Sequence, residues 1–166
     1  LSRYGYKVKQ TIKTEPAYLI QKVMQQVVKI GTARFLNSQY DQSLNLAGKT
    51  GTSDSQRDSW FAGFSGDKLA VVWVGKDNND PMPITGAGGA LRIWANTFKA
   101  LPLKPLYPLP TENIAEHWVN VEKGALSDES CEGVMKLPFI NGKTPTETID
   151  CQKPSHNTWW SKIFGG

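Results

Sequence analysis

Apolar and polar positions change period several times along the chain, and each change predicts an element. From Tyr4 to Ile12 the residues alternate, with Tyr4, Tyr6, Val8 and Gln10 on one parity, which predicts a strand. Thr14 can cap the next element, with Glu15 and Pro16 in the first turn, where proline's missing N–H would be unpaired anyway. From Ala17 to Ile30 the residues Leu19, Ile20, Val23, Met24, Val27 and Val28 recur at helical spacing, and Gly31 ends that helix. A polar loop, Thr32 to Ser43, leads into a short strand around Lys49. After the polar turn Asp54 to Asp58, Ser59-Trp60-Phe61-Ala62-Gly63-Phe64 reads as a second strand. Beyond the Gly66-Asp67 turn, Leu69 to Val74 is almost all apolar, the pattern of a strand buried on both faces. Three strands with short connections predict an antiparallel meander. Gly75 to Gly89 is loop, and Ala90, Leu91, Trp94, Phe98 and Leu101 then predict a helix that packs on the sheet.

Composition shifts at Pro102. The prolines from there to Pro110 predict a semi-rigid extended linker, placed at 102–112 between a main body (1–101) and a small C-terminal appendage (113–166). The chain has no internal repeats. Its 166 residues allow one domain, or one domain with an appendage, and 39% hydrophobic content with six tryptophans supports a folded core. A net charge of +4 without any basic run makes a nucleic-acid footprint weak and is compatible with an acidic substrate or a membrane surface. No apolar run approaches the ~20 residues of a bilayer span, and no signal peptide opens the chain. It begins at Leu1 directly in strand-like sequence, as expected of a piece of something longer.

The candidate chemistry sits in Leu46-Ala47-Gly48-Lys49-Thr50-Gly51-Thr52-Ser53. Strand alternation sends Lys49 to one face and Thr50 and Thr52 to the other. Gly51 lets another molecule lie against the backbone, and such an edge can pair with an extended peptide. A lysine charge, two hydroxyls and free N–H groups suit a ligand with a carboxylate and a reacting carbonyl.

Lys-Thr-Gly is one of three motifs of the penicillin-recognising serine enzymes. Ala47 to Ser53, Asp58 to Phe64, Val72 to Asn78 and the helix from Gly88 to Trp94 together resemble the transpeptidase domain of class A penicillin-binding proteins. The tail, with two cysteines and an end bearing Trp159, Trp160, Ile163 and Phe164, resembles the Gram-negative penicillin-binding protein 1b branch. The resemblance implies an α+β fold, an antiparallel sheet covered by helices, here as a partial domain plus the appendage. It implies that Lys49 sets the electrostatics of a serine–lysine network and attracts the substrate carboxylate. Thr50, Gly51 and Thr52 would bind that substrate, and the Thr52 N–H would supply half of an oxyanion hole. The implied ligands are the D-Ala–D-Ala end of a peptidoglycan stem peptide and β-lactams, with no cofactor and no metal. The implied location is the periplasm, in a protein anchored to the inner membrane by an upstream segment that also carries a glycosyltransferase domain. Divisome or elongasome proteins and lipoprotein activators are the implied partners.

The family's other two motifs are missing in a usable form. No serine has a lysine three residues on in a suitable context, and Ser43-Leu44-Asn45 carries the letters of a Ser-x-Asn element too close to Lys49. The nucleophile and its base are therefore expected before Leu1, which makes this chain alone inactive. Two other readings stand beside the transpeptidase: a β-lactamase or D,D-carboxypeptidase, and a non-catalytic peptide-binding module. Asp58, Trp60 and Phe61 read as packing residues, Arg57 as a solvated turn charge, and His117 and His156 as no metal site. Cys131 and Cys151 could be buried thiols or an incomplete zinc pair. An extracytoplasmic family implies a disulfide instead, whose loop of about twenty residues is worth ~3 kcal/mol in the chain-entropy account. The aromatic end either docks back on the protein or touches a membrane.

Overall fold

The structure, a computed structural model, describes residues 9–109 and 111–150. The chain divides into two compact units, one ending at Pro110 and the other starting at Thr111.

The first unit starts with α1 (Thr14–Lys29). Thr14 lies inside the helix rather than capping it; Lys13 holds the cap position and no side chain bonds there. The predicted apolar face divides. Val28 reaches the core, whereas Ile20 and Val23 stay 60% and 57% exposed. Their inward place is taken by Tyr18 and by Gln25, whose amide is buried because it donates to the carbonyls of Asn45 and Leu106 (3.0 and 3.1 Å). At the helix end Gly31 donates to Gln26 and Val27, and a Cβ there would sit 2.9 Å from the Val27 backbone. The strand expected over Tyr4–Ile12 lies outside the described residues as far as Val8, and residues 9–12 form no strand.

The polar loop after α1 contains two 3₁₀ turns, Arg34–Ser38 and Gln42–Leu44, and the first drops Leu36 into the core. The sheet comes next in the order β1 (Ala47–Thr52), β2 (Asp58–Phe64), β3 (Leu69–Gly75), all antiparallel. The register sets Thr50 opposite Phe61 and Thr52 opposite Ser59, while Gly51 faces Trp60 and Trp60 faces Trp73. Cross-strand partners share a face. The inner face therefore carries Thr50, Thr52, Ser59 and Phe61, and the outer face carries Lys49, Trp60, Val71 and Trp73. On the inner face lies α2 (Ala90–Lys99), which buries Leu91, Trp94 and Phe98 against Phe61. Ser59, fully buried, ties the helix start to β2: its hydroxyl accepts from the Ala90 N–H and donates to Thr85 O. Tyr40 donates to Ala95 O, and burial pushes its phenol up to about 12.

The expectation of a third strand buried on both faces is corrected. Leu69, Val71 and Trp73 are 69%, 56% and 47% exposed, and only the Ala70, Val72 and Val74 parity meets the core. Helices cover one face of this sheet among the described residues.

The β2–β3 turn is held by Asp67. Its carboxylate accepts from Ser65 Oγ, from the Lys104 N–H and from Lys68 Nζ, and Gly66 N–H donates to Lys104 O. The proline-rich stretch is thereby strapped to this unit. These donors, Lys68 first, hold the Asp67 carboxyl down at about 2, against an ordinary 3.8. A depressed folded pKa contributes stability above pH 4 that is lost as pH falls toward 2. Asp67→Asn is thus expected to flatten the acid side of a melting-temperature profile between pH 4 and 2; an unchanged acid slope would contradict this.

The second unit is a three-stranded antiparallel sheet, β5-β4-β6, from β4 (Ile114–Asn120), β5 (Ala125–Leu126) and β6 (Val134–Ile140). Asn141 N–H bonds Asn113 O and Val121 N–H bonds Gly133 O, so odd-numbered residues of β6 carry the ladder bonds. Pro138 falls on the other parity, where its missing N–H faces the side of β6 that no strand pairs with among the described residues. Val119, Ala125 and Cys131 are buried. Cys151, and the aromatic end from Trp159 to Phe164, lie outside the described residues.

Candidate active site at the Lys49–Thr52 strand edge

β1 runs along the edge of its sheet, and ladder parity decides what that edge offers. Ser53 N–H donates to Asp58 O, so 53/58 is a hydrogen-bonded pair. Counting back by twos, Gly51, Lys49 and Ala47 bond to β2, and the N–H and C=O groups of Gly48, Thr50 and Thr52 point outward. No strand pairs with that edge among the described residues. The exposed Lys49 folds its Nζ onto one of the outward carbonyls, Thr50 O, at 2.6 Å.

The two hydroxyls go to the opposite face from Lys49, as alternation predicts. Thr52 Oγ1 accepts from the Gly86 N–H at 2.9 Å. Gly86 lies so close to the ribbon that a Cβ there would sit 2.5 Å from Gly51 O and 2.7 Å from Trp60 O, both backbone atoms. Thr50 is 9% exposed, and its Oγ1 lies 2.6 Å from that of Thr32, in the turn after α1. Sequence reasoning missed both Thr32 and Gly86; neither stands near the motif in the chain.

On the outer face Trp60 and Trp73 pack with ring centres 6.0 Å apart. Asp58 fixes Trp73 by accepting from its indole N–H at 2.8 Å. That bond, then Ser53, then the Arg57 charge, lowers the Asp58 carboxyl below its ordinary range. Asp58 therefore organises the mouth of the β1–β2 turn, in keeping with a packing role. A cleft of about 890 Å³, bounded by Lys29, Thr32, Arg34, Phe35, Ala87 and Arg92, opens on the α1 side, and neither Lys49 nor Thr52 lines it. Among the described residues no cluster of three or more His, Cys, Asp or Glu could hold a metal ion.

Residues 4–100 match the family described as penicillin binding protein transpeptidase domain. The chain belongs to the penicillin-binding protein transpeptidase family. It is 39% identical over 126 residues to penicillin-binding protein 1B of Escherichia coli, covering 76% of this chain and 14% of that protein. With penicillin-binding protein 1B of Vibrio cholerae the identity is 35% over 159 residues, 95% of this chain and 20% of that one. A crystal structure of penicillin-binding protein 1A from Haemophilus influenzae superposes with a TM-score of 0.67 at 28% identity, over 83% of this chain and 22% of that chain. The chain thus spans about a fifth or less of the length of these two curated relatives.

Penicillin-binding transpeptidases combine Lys-Thr-Gly with a Ser-x-x-Lys element, and one serine here does have a lysine at that offset. Ser65 and Lys68 sit in the β2–β3 turn, where Ser65 is 5% exposed and accepts from the Lys68 N–H. Lys68 Nζ goes to Asp67 and Pro102 O instead of the serine. The pair closes a turn and is not an activated nucleophile. Ser43 lies within the 3₁₀ turn just before β1 and Asn45 caps its end, and the Asn45 amide donates back to Ser43 O. No helix among the described residues is long and apolar enough to cross a membrane.

Proposed function

We propose that this chain forms one wall of the acyl-transfer site of a peptidoglycan D,D-transpeptidase. The outer edge of β1, unpaired among the described residues, with the Thr52 N–H outward and Lys49 beside it, supports this reading most directly. A serine elsewhere in the same polypeptide attacks the carbonyl between the two terminal D-alanines of a stem peptide. Charge builds on that oxygen, and a fixed N–H such as that of Thr52 stabilises it best because it needs no reorganisation during reaction. The terminal D-alanine leaves with a proton, an ester to serine remains, and an amine of a neighbouring stem peptide takes the acyl group. The Thr50 and Thr52 hydroxyls hydrogen-bond the terminal carboxylate, the Lys49 charge attracts it from the other side of the strand edge, and β-lactams acylate the same serine. The open apolar face of Leu69, Val71, Trp73 and Trp60 suits packing against further chain, as that arrangement requires.

The site works in the periplasm, in a protein held at the inner membrane by another segment, where cell-division or elongation proteins and lipoprotein activators are its partners. In that compartment the buried Cys131 pairs with Cys151; alkylation of both thiols in native protein would contradict the pairing. Product analysis tests the reaction. The intact protein, given stem peptides ending in D-Ala–D-Ala and an acceptor amine, is expected to yield cross-linked dimers. Hydrolysed peptide alone would favour a D,D-carboxypeptidase, and unreacted peptide a binding module.

A further inference from the structure

We propose that Thr32 is a positioning residue for ligand binding at this site, acting through the Thr50 hydroxyl. The inference rests on the reading of the Lys49–Thr52 edge as a carboxylate site and names a residue outside the motif that tunes it.

The two Oγ1 atoms are 2.6 Å apart, so one hydroxyl gives its proton to the other. A hydroxyl has one hydrogen and two acceptor positions. If Thr50 donated to Thr32, it would have no hydrogen left for a carboxylate. The surroundings favour the opposite sense. On its far side Thr32 borders a cleft whose charged side chains, Lys29, Arg34 and Arg92, only donate, with Asn37 the one side-chain amide and no carboxylate lining it among the described residues. Arg92 is held there with its guanidinium 3.4 Å above the Phe35 ring. Cationic donors rather than acceptors of opposite charge thus surround the cleft side of Thr32, and its single hydrogen is best spent on Thr50. A carboxylate arriving at the β1 edge from the Thr50 side reinforces this, because a hydrogen bond to a charged acceptor is about twice as strong as a neutral one. The chain Thr32 to Thr50 to carboxylate then polarises in one direction.

The test uses the intact protein and acylation by a penicillin, resolved into the saturation constant and the limiting rate. Thr32→Val should raise the saturation constant roughly three- to tenfold, the effect of one neutral hydrogen bond, with the limiting rate unchanged. Thr32→Ser should restore it. In a Thr50→Val background Thr32→Val should add nothing. With a penicillin methyl ester, which lacks the carboxylate, its effect should vanish. A fall in limiting rate alone, failure of serine to rescue, or an equal effect on the ester would overturn the inference. If Thr50→Val weakens acylation but Thr32→Val does not, only this inference fails. If Thr50→Val has no effect, the carboxylate reading of the edge itself fails.

Discussion

Thr52→Pro in the intact protein is expected to lower the rate of acylation by penicillin about 10²–10³-fold below that of Thr52→Val, the loss typical of one oxyanion-hole donor. The comparison isolates the amide. Both substitutions remove the hydroxyl that accepts from Gly86, so both disturb the loop lying against Gly51 to the same degree. Only proline also removes the N–H. Thr52 stands opposite Ser59 on the parity whose N–H faces away from β2, so no ladder bond is broken and an edge strand tolerates the ring. Equal rates for the two variants, with equal melting temperatures, would show that the Thr52 N–H takes no part in the reaction.

Trp94→Ala is expected to cost about 3–5 kcal/mol, read from denaturant or thermal unfolding. The indole is fully buried at the centre of the inner-face core. It stacks on Phe98 with centroids 3.9 Å apart and meets Phe61 edge-on at 5.5 Å and Tyr40 at 6.2 Å. Truncation leaves a cavity walled by rigid rings and by Gly63, where an added Cβ would sit 2.9 Å from the indole, so little collapse is available. Trp94→Phe should cost much less. The Trp94 N–H has no hydrogen-bond partner among the described residues, and removing it relieves a buried polar group. A loss below about 1 kcal/mol for alanine would mean that the core is not packed as described.

Much of this architecture is legible in residue pattern, because strand and helix periods are local properties. Alternation at Lys49, Thr50 and Thr52 predicts the faces those side chains take. Ala90, Leu91, Trp94 and Phe98 predict the buried side of α2. What misleads is burial, which depends on what arrives from elsewhere. Leu69, Val71 and Trp73 read as buried by composition, yet nothing among the described residues covers them. Gln25 is polar and outside the apolar pattern of α1, yet carbonyls 20 and 81 positions away satisfy it inside. The site divides along the same line. Its motif is contiguous and readable, whereas Thr32 and Gly86 reach it from 18 and 34 positions away through turns that no local signal specifies. Ser65 and Lys68 show the converse: correct spacing in a turn that ties both groups to other work.

Labelling the intact protein with a fluorescent penicillin, digesting it and locating the adduct by tandem mass spectrometry tests the central claim most directly. The label should fall on a serine outside these 166 residues and should be strongly reduced by Lys49→Ala. A label on any serine within this chain, Ser65 included, or full labelling without the Lys49 ammonium, would contradict the account.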